Sequence, residues 1–186
     1  MTINSLDILK THYPDNCRTY QLLVHHSERV IQKALTIAQK RTDLKPDLEF
    51  ITQAAMLHDI GIGLTNTPVL GCTGSHPYVC HGVLGRRLLE QHGLFRHALV
   101  CERHIGVGLY AEEIERLNLP LPVREMRPLS IEEKIICYSD KFFSKENDAN
   151  GKEKSIPEII NGLRHYGMDK VLRFYALHNE LISFHP

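Results

Sequence analysis

Apolar residues recur at intervals of three and four along most of this chain, which is the spacing of amphipathic helices. The segment 61–77 interrupts that pattern with Gly, Thr, Asn, Ser and Pro residues and is expected to be a loop. We find no alternation typical of strands, so we predict an all-α fold. The spacing predicts helices at about 3–13, 18–41, 46–59, 77–90, 94–105, 110–118, 130–145, 156–165 and 168–182.

The helix predicted before the loop ends in His58-Asp59-Ile60-Gly61. Its residues from Leu48 to Leu57 are apolar on nearly all sides, which indicates that the helix is buried. A buried carboxylate is unfavourable unless a positive group lies beside it. A metal ion is the simplest group that would satisfy both Asp59 and the neighbouring imidazole.

Further histidines and one carboxylate fall on the apolar faces of other predicted helices. Those residues are His26, His81, His104 and Asp140. Two of them also have a structural explanation: His26 alone is better interpreted as a core histidine bonded to a backbone carbonyl, and Asp140 could pair with a basic residue. His97 lies near the same helix face as His104, and spacing does not exclude it.

Composition narrows the class of protein. The 186 residues carry 22 Lys+Arg and 22 Asp+Glu, so no net charge favours a nucleic-acid duplex or an anionic membrane. No apolar run reaches membrane-spanning length. Five scattered cysteines without a Cys-x-x-Cys pair favour free thiols in a reducing cytoplasm. The length favours a single domain over residues 1–186.

The order His26, His58-Asp59, Asp140 on three predicted helices resembles the HD superfamily of metal-dependent phosphohydrolases. The string at 58–61 is similar to the HDIG form of the superfamily's signature. Tyr138-Ser139-Asp140-Lys141 resembles its last motif, with Ser where many members have Ala. The resemblance covers about residues 20–145 and implies a compact helical bundle, on which we expect the helices at 156–182 to pack.

His81 and His104 resemble two additional histidines with which several HD subfamilies hold a second metal. The resemblance implies that one ion is bound by His26, His58, Asp59 and Asp140. The other would be bound by His81, His104 and a bridging Asp59. The arrangement is similar to that of symmetric dinucleoside-tetraphosphate hydrolases and of cyclic-dinucleotide phosphodiesterases, although the Gly-Tyr-Pro motif of the latter is absent.

A nitrogen and oxygen ligand set favours one or two divalent transition metals, namely Fe, Mn, Co, Ni or Zn, over Ca. We therefore expect hydrolysis of a nucleotide or another phosphate ester or anhydride by a metal-activated hydroxide, with Asp59 and His58 as the catalytic residues. The expected partner is a small phosphorylated substrate, with a nucleotide favoured, and a homodimer is left open. A di-iron oxygenase and a non-catalytic nucleotide-binding module are the alternatives.

Three residues near the motifs are candidates for substrate binding. His76 could contact a phosphate, although an exposed loop histidine is the favoured interpretation. Lys141 follows Asp140 and is balanced between phosphate binding and a solvated position on its helix. Arg103 precedes His104 and is a slightly weaker candidate.

Overall fold

The structure is a computed structural model that describes residues 3–15, 17–145 and 152–182. Within these ranges the α-helices are α1 (Ser5–His12), α2 (Arg18–Lys40), α3 (Leu48–Leu57), α4 (His81–Gln91), α5 (Phe95–Arg103), α6 (Ala111–Arg116), α7 (Ile131–Asp140), α8 (Ile156–Arg164) and α9 (Met168–Leu181). Short 3₁₀ helices lie at Thr42–Leu44, Ile62–Leu64, Pro68–Leu70 and Tyr78–Cys80. One antiparallel pair of strands, β1 (Asn66–Thr67) and β2 (Cys72–Thr73), lies within the predicted loop. The all-α prediction is confirmed.

The main core is formed by the apolar faces of α2, α3, α7, α8 and α9. Its fully buried members include Val30, Ile51 and Ile136. Tyr138 on α7 stacks on Phe174 of α9 with 5.2 Å between the ring centroids. The C-terminal helices therefore pack against the helix that ends in Asp140.

A second core cluster joins α1 and α3 to α4 and α5. Leu9, Leu57, Leu89 and Ala98 are fully buried in it. This cluster brings the C-terminal end of α3 beside the helices that carry His81 and His104.

Two predicted helices end earlier in the structure than the spacing indicated. α3 ends at Leu57, so His58 caps it, and α7 ends at Asp140. After each of these helices the backbone continues through i→i−3 hydrogen bonds, for example from Ile60 N to Leu57 O (3.0 Å) and from Phe143 N to Asp140 O (3.2 Å). Tightening of this kind satisfies backbone groups that a helix end leaves unpaired.

Two expectations from composition can be compared with the structure. All five cysteines are free thiols. Within the described ranges, no helix combines the length and the apolar character that crossing a bilayer requires.

Candidate metal centre

Three of the candidate histidines are oriented by the same local contact. Each ring places Nδ1 within hydrogen-bonding distance of the backbone carbonyl three residues earlier. The pairs are His58 with Ala55 O (2.6 Å), His81 with Tyr78 O (2.6 Å) and His104 with Cys101 O (2.7 Å). Because a carbonyl only accepts, Nδ1 must carry the proton, and Nε2 of each ring, which is directed to the centre, is the nitrogen that could bind a metal.

The first group of potential ligands joins α2 to the ends of α3 and α7. His26 Nε2 lies 3.0 Å from Asp140 Oδ1 and 3.5 Å from Asp59 Oδ2. His58 Nε2 lies 3.1 Å from Asp59 Oδ2 and 3.4 Å from Asp140 Oδ1. Ligand atoms that share one cation at bonds of about 2.1 Å are separated by about 3–3.5 Å, so these four side chains could hold one ion.

The second group uses the other oxygen of Asp59. His81 Nε2 lies 3.3 Å and His104 Nε2 lies 3.4 Å from Asp59 Oδ1, and the two nitrogens are 3.1 Å apart. These three residues form a separate set with the spacing that an ion requires. Asp59 therefore presents one oxygen to each group.

The buried polar atoms at the centre fit a metal-binding role. Asp59 and His58 are fully buried. Within the described part of the chain, Asp59 Oδ1 and His58 Nε2 have no hydrogen-bond partner, and Asp59 Oδ2 makes no hydrogen bond but has Lys145 Nζ 2.8 Å away. Such atoms are unfavourable in a protein interior unless another group compensates them. A mixed set of imidazoles and carboxylates is the chemistry that a divalent transition metal would satisfy.

Two lysines lie beside the carboxylates. Lys145 Nζ is 2.8 Å from Asp59 Oδ2, and Lys141 Nζ is 2.7 Å from Asp140 Oδ2. Burial opposes ionisation of both carboxyl groups. The charges of His58 and Lys145 outweigh it at Asp59, those of Lys141 and Lys145 outweigh it at Asp140, and both pKa values lie well below the usual range. Both carboxylates are therefore ionised and ready to bind a cation at neutral pH.

The histidines at the centre differ in their proton affinity. Burial lowers the pKa of His104 to about 4, so this ring is neutral at pH 7. Burial acts in the same direction on His58, but Asp59 and Asp140 outweigh it and raise the pKa of His58 to about 9. Since a metal-bound imidazole has lost the proton from the binding nitrogen, binding at His58 releases a proton.

A cavity of about 470 Å³ opens directly onto this centre. His81, His104 and Asp140 line one part of it together with Lys141 and Lys145. This volume is within the range of small-molecule sites. The cavity therefore gives a substrate access to both ligand groups.

The three candidate substrate-binding residues lie in different surroundings. Lys141 lines the cavity. His76 is exposed, and its backbone N and O pair with Leu64 O and Asn66 N in the loop before α4. Arg103 Nη1 lies 2.9 Å from Glu133 Oε1, which accounts for the position of this side chain without a substrate.

Two residues at the centre were missed in the sequence. Lys145 follows the predicted Asp140 by five positions, and its approach to Asp59 depends on the turn that replaces the last part of the predicted helix. Tyr78 packs on His81 with 4.6 Å between the ring centroids and lines the cavity. The sequence feature that could have identified Lys145 is a basic residue about one turn beyond Asp140. No sequence feature pointed to Tyr78.

Gly61 brings the backbone of α4 close to Asp59. A Cβ atom at this position would lie 2.2 Å from His81 O and 2.3 Å from Gly85 N. The Tyr13 hydroxyl holds the same turn, because it donates to Ile60 O (2.5 Å) and accepts from Gly63 N (2.8 Å). The HDIG turn is thus fixed by close packing on one side and by a tyrosine on the other.

Residues 23–144 match the model of a protein family described as HD domain. The chain is 34% identical over 139 residues to "Uncharacterized protein MJ0778" of Methanocaldococcus jannaschii, covering 74% of this chain and 72% of that protein.

Two longer relatives are named tRNA (cytidine(56)-2'-O)-methyltransferase. The protein of Thermoplasma volcanium is 32% identical over 161 residues, which are 86% of this chain and 41% of that protein. The protein of Picrophilus torridus is 32% identical over 180 residues, 96% of this chain and 45% of that protein. The chain thus spans less than half the length of these two relatives.

Two solved structures of the HD domain of the L. monocytogenes phosphodiesterase PgpH share the fold. One has a TM-score of 0.54 and covers 96% of this chain and 95% of that chain at 16% identity. The other, in complex with cyclic-di-AMP, has a TM-score of 0.56, with 96% and 93% covered at 16% identity. Similarity at this level of identity concerns the fold.

Proposed function

We propose that this chain, which belongs to the HD domain family, is a metal-dependent phosphohydrolase that hydrolyses a phosphate ester or anhydride at a dinuclear metal centre. The observation that carries the proposal is Asp59, a buried carboxylate whose two oxygens each lie within 3.5 Å of two histidine nitrogens.

We assign the ligand roles from these distances. One ion would be held by His26, His58, Asp59 and Asp140. The other would be held by Asp59, His81 and His104. Asp59 belongs to both groups, and the His58 ring packs against that of His104 with 4.9 Å between the centroids. We therefore assign these two residues, His58 and Asp59, the positions closest to the chemistry. Two bound divalent ions supply Lewis acidity toward phosphoryl oxygens and a bound water of lowered pKa.

The side chains around the centre would orient the substrate for this reaction. Lys141 and Lys145 line the cavity within ion-pairing distance of the ligand carboxylates, so a phosphoryl group at the centre would lie beside two cations. In the hydrolysis, the oxygen of water forms a bond to phosphorus and the ester bond breaks. One hydrogen of that water goes to the leaving oxygen, and the other remains on the phosphate product.

The proposed substrate is a small phosphorylated compound, and a nucleotide is one candidate. The support for a nucleotide is the PgpH domain that shares this fold in complex with cyclic-di-AMP. The methyltransferase relatives support no transfer reaction at this centre, because the chain spans less than half of their length.

The proposal is tested by screening nucleotides and phosphoesters for phosphate release under anaerobic conditions, after loading the protein with Mn, Co, Fe, Ni or Zn. We expect turnover with at least one metal and loss of turnover in Asp59→Asn. Oxygen uptake that requires iron, without phosphate release, would favour the di-iron oxygenase. Bound metal with no turnover across the panel would favour a binding module.

A further inference from the structure

The wall of the cavity changes character with distance from the ligand groups. At the centre it is lined by the imidazoles and by the two lysines described above. Beyond them, apolar side chains from the ends of α5 and α6 and from α8 line most of it. They are Ile105, Leu109, Leu117, Leu119, Leu163 and Tyr166.

Two charged side chains in this outer part are already paired. Glu113 and Lys170 form a buried ion pair. Lys170 Nζ also donates to Gly108 O (3.1 Å), and Arg173 Nη1 lies 3.0 Å from the second oxygen of Glu113. Both carboxylate oxygens of Glu113 are therefore engaged, and Lys170 is directed to the turn after His104.

The outer wall thus offers few groups that could read a polar ligand. Within the described ranges, its lining contains no Asn, Gln, Ser or Thr side chain, and the Tyr166 ring is largely exposed. A nucleobase edge or a sugar hydroxyl placed there would lose water without gaining a side-chain amide or aliphatic hydroxyl partner. An apolar group would instead bury its surface against aliphatic side chains.

We propose that the organic part of the substrate is an apolar group, a hydrocarbon chain or ring, that occupies the outer cavity while its phosphoryl group lies between Lys141, Lys145 and the ligand residues. The inference rests on the proposed function for the position of the phosphoryl group. Recognition is by burial of apolar surface, so the site discriminates substrates by the size of the apolar group and poorly by the identity of a nucleobase.

The test measures binding, which does not depend on turnover. Methyl-, butyl-, hexyl- and octylphosphonate are titrated by calorimetry into the metal-loaded full chain. We expect the dissociation constant to fall about three- to fourfold for each added methylene until the cavity is filled, which corresponds to about 0.8 kcal/mol per methylene. A dissociation constant that is independent of chain length would overturn the inference.

Two matched variants locate the binding site. Leu117 lines the cavity and is 46% exposed, so Leu117→Ser is expected to leave the fold intact. It should weaken hexylphosphonate binding about tenfold, within the range for exchanging a good apolar contact, and leave methylphosphonate unchanged. Leu129 is 57% exposed and does not line this cavity. Leu129→Ser is therefore the control and should change the affinity for neither phosphonate. Equal effects of both variants would contradict the assigned site.

Failure of the inference is distinguishable from failure of the proposed function. If phosphoesters are hydrolysed but the dissociation constant of the phosphonates does not change with chain length, the hydrolase proposal stands and the apolar subsite is contradicted. If affinity rises steeply with chain length and Leu117→Ser abolishes that rise, but no ester is hydrolysed, the subsite stands and the hydrolase proposal is contradicted. A preference above about 10³-fold for one nucleobase would also contradict the subsite, because apolar pockets discriminate by only about 10- to 200-fold.

Discussion

At the scale of single residues, the spacing of the sequence predicted which histidines face inward and which do not. His26 is buried, as its place on the apolar face of α2 predicts, and the adjacent His25 is exposed. Spacing left His97 open as a candidate, and the structure places it against Phe50 with its Nε2 3.3 Å from Gln53 Oε1, away from the centre. Only the packing of α5 on α3 distinguishes its position from that of His104.

Lys145 shows what the sequence could not predict at this scale. The sequence predicted a regular helix through residue 145, and that prediction carries no information about the distance between Lys145 and Asp59. In the structure the helix ends at Asp140, and Lys145 Nζ lies 2.8 Å from Asp59 Oδ2. Burial alone would lower the pKa of Lys145, but the Asp59 carboxylate outweighs it and raises that pKa. The lysine therefore remains charged beside the cavity.

Replacing the Lys145 ammonium group should lower substrate turnover more than it lowers metal binding. We expect Lys145→Met to lower kcat/KM about 10- to 100-fold, the range for groups that support a metal site, with metal content unchanged. Steady-state kinetics and elemental analysis of the same samples check this. Lys134→Met is the matched control, because Lys134 pairs with Glu180 (2.6 Å) and does not line the cavity. A loss of metal in proportion to activity would show that Lys145 only supports the ligands.

At the scale of elements, the predicted helices are found with differences of a few residues at their ends. The largest difference is α7, which was predicted to reach residue 145 and ends at Asp140. The short strands β1 and β2 gave no sequence signal because each contains two residues. The sequence did not predict the contact between the turn at 58–61 and α4, in which the structure brings Gly61 against Gly85.

This contact gives a prediction about how α4 is positioned. In Gly61→Ala the added Cβ would lie 2.2 Å from His81 O, a backbone atom that moves only with the start of α4. We expect a destabilisation of about 1–3 kcal/mol, typical of overpacking, and loss of activity and of metal at the His81 group. Chemical unfolding and metal analysis measure both.

Gly162→Ala is the matched control for that substitution. Its added Cβ would meet no atom within 4 Å, and the residue lies within α8. Alanine should stabilise the helix by up to about 1 kcal/mol and leave activity unchanged. Equal stability changes in the two variants would contradict the role of close packing at Gly61.

At the scale of the whole molecule, the candidate ligands connect elements that are distant in sequence. His26 belongs to α2, while Asp140 ends α7, and their side chains lie 3.0 Å apart. The sequence order of the motifs predicted this convergence through resemblance to a family, whereas helix periodicity gives no distances between helices. That residues 1–186 form one domain stays a prediction, which the packing of Tyr138 on Phe174 supports.

Because the ligands join five helices, metal removal should lower the stability of the whole fold. With free metal at about 100 times its dissociation constant, binding adds about 2.7 kcal/mol, so chelation should lower Tm by about 5–10 °C. Differential scanning calorimetry before and after chelation, and after adding metal back, measures the change. In Asp59→Asn the chelator should have little effect. An identical Tm with and without metal in the unmodified chain would contradict the proposed site.

The most direct test of the account is the number of metal ions bound per chain, measured by elemental analysis together with hydrolytic activity. We predict about two ions in the unmodified chain, about one in His81→Ala, and loss of activity in that variant. His97→Ala, which removes a histidine outside the centre, should retain both ions. One ion per chain, with full activity in His81→Ala, would contradict the claim that Asp59 joins two metal sites.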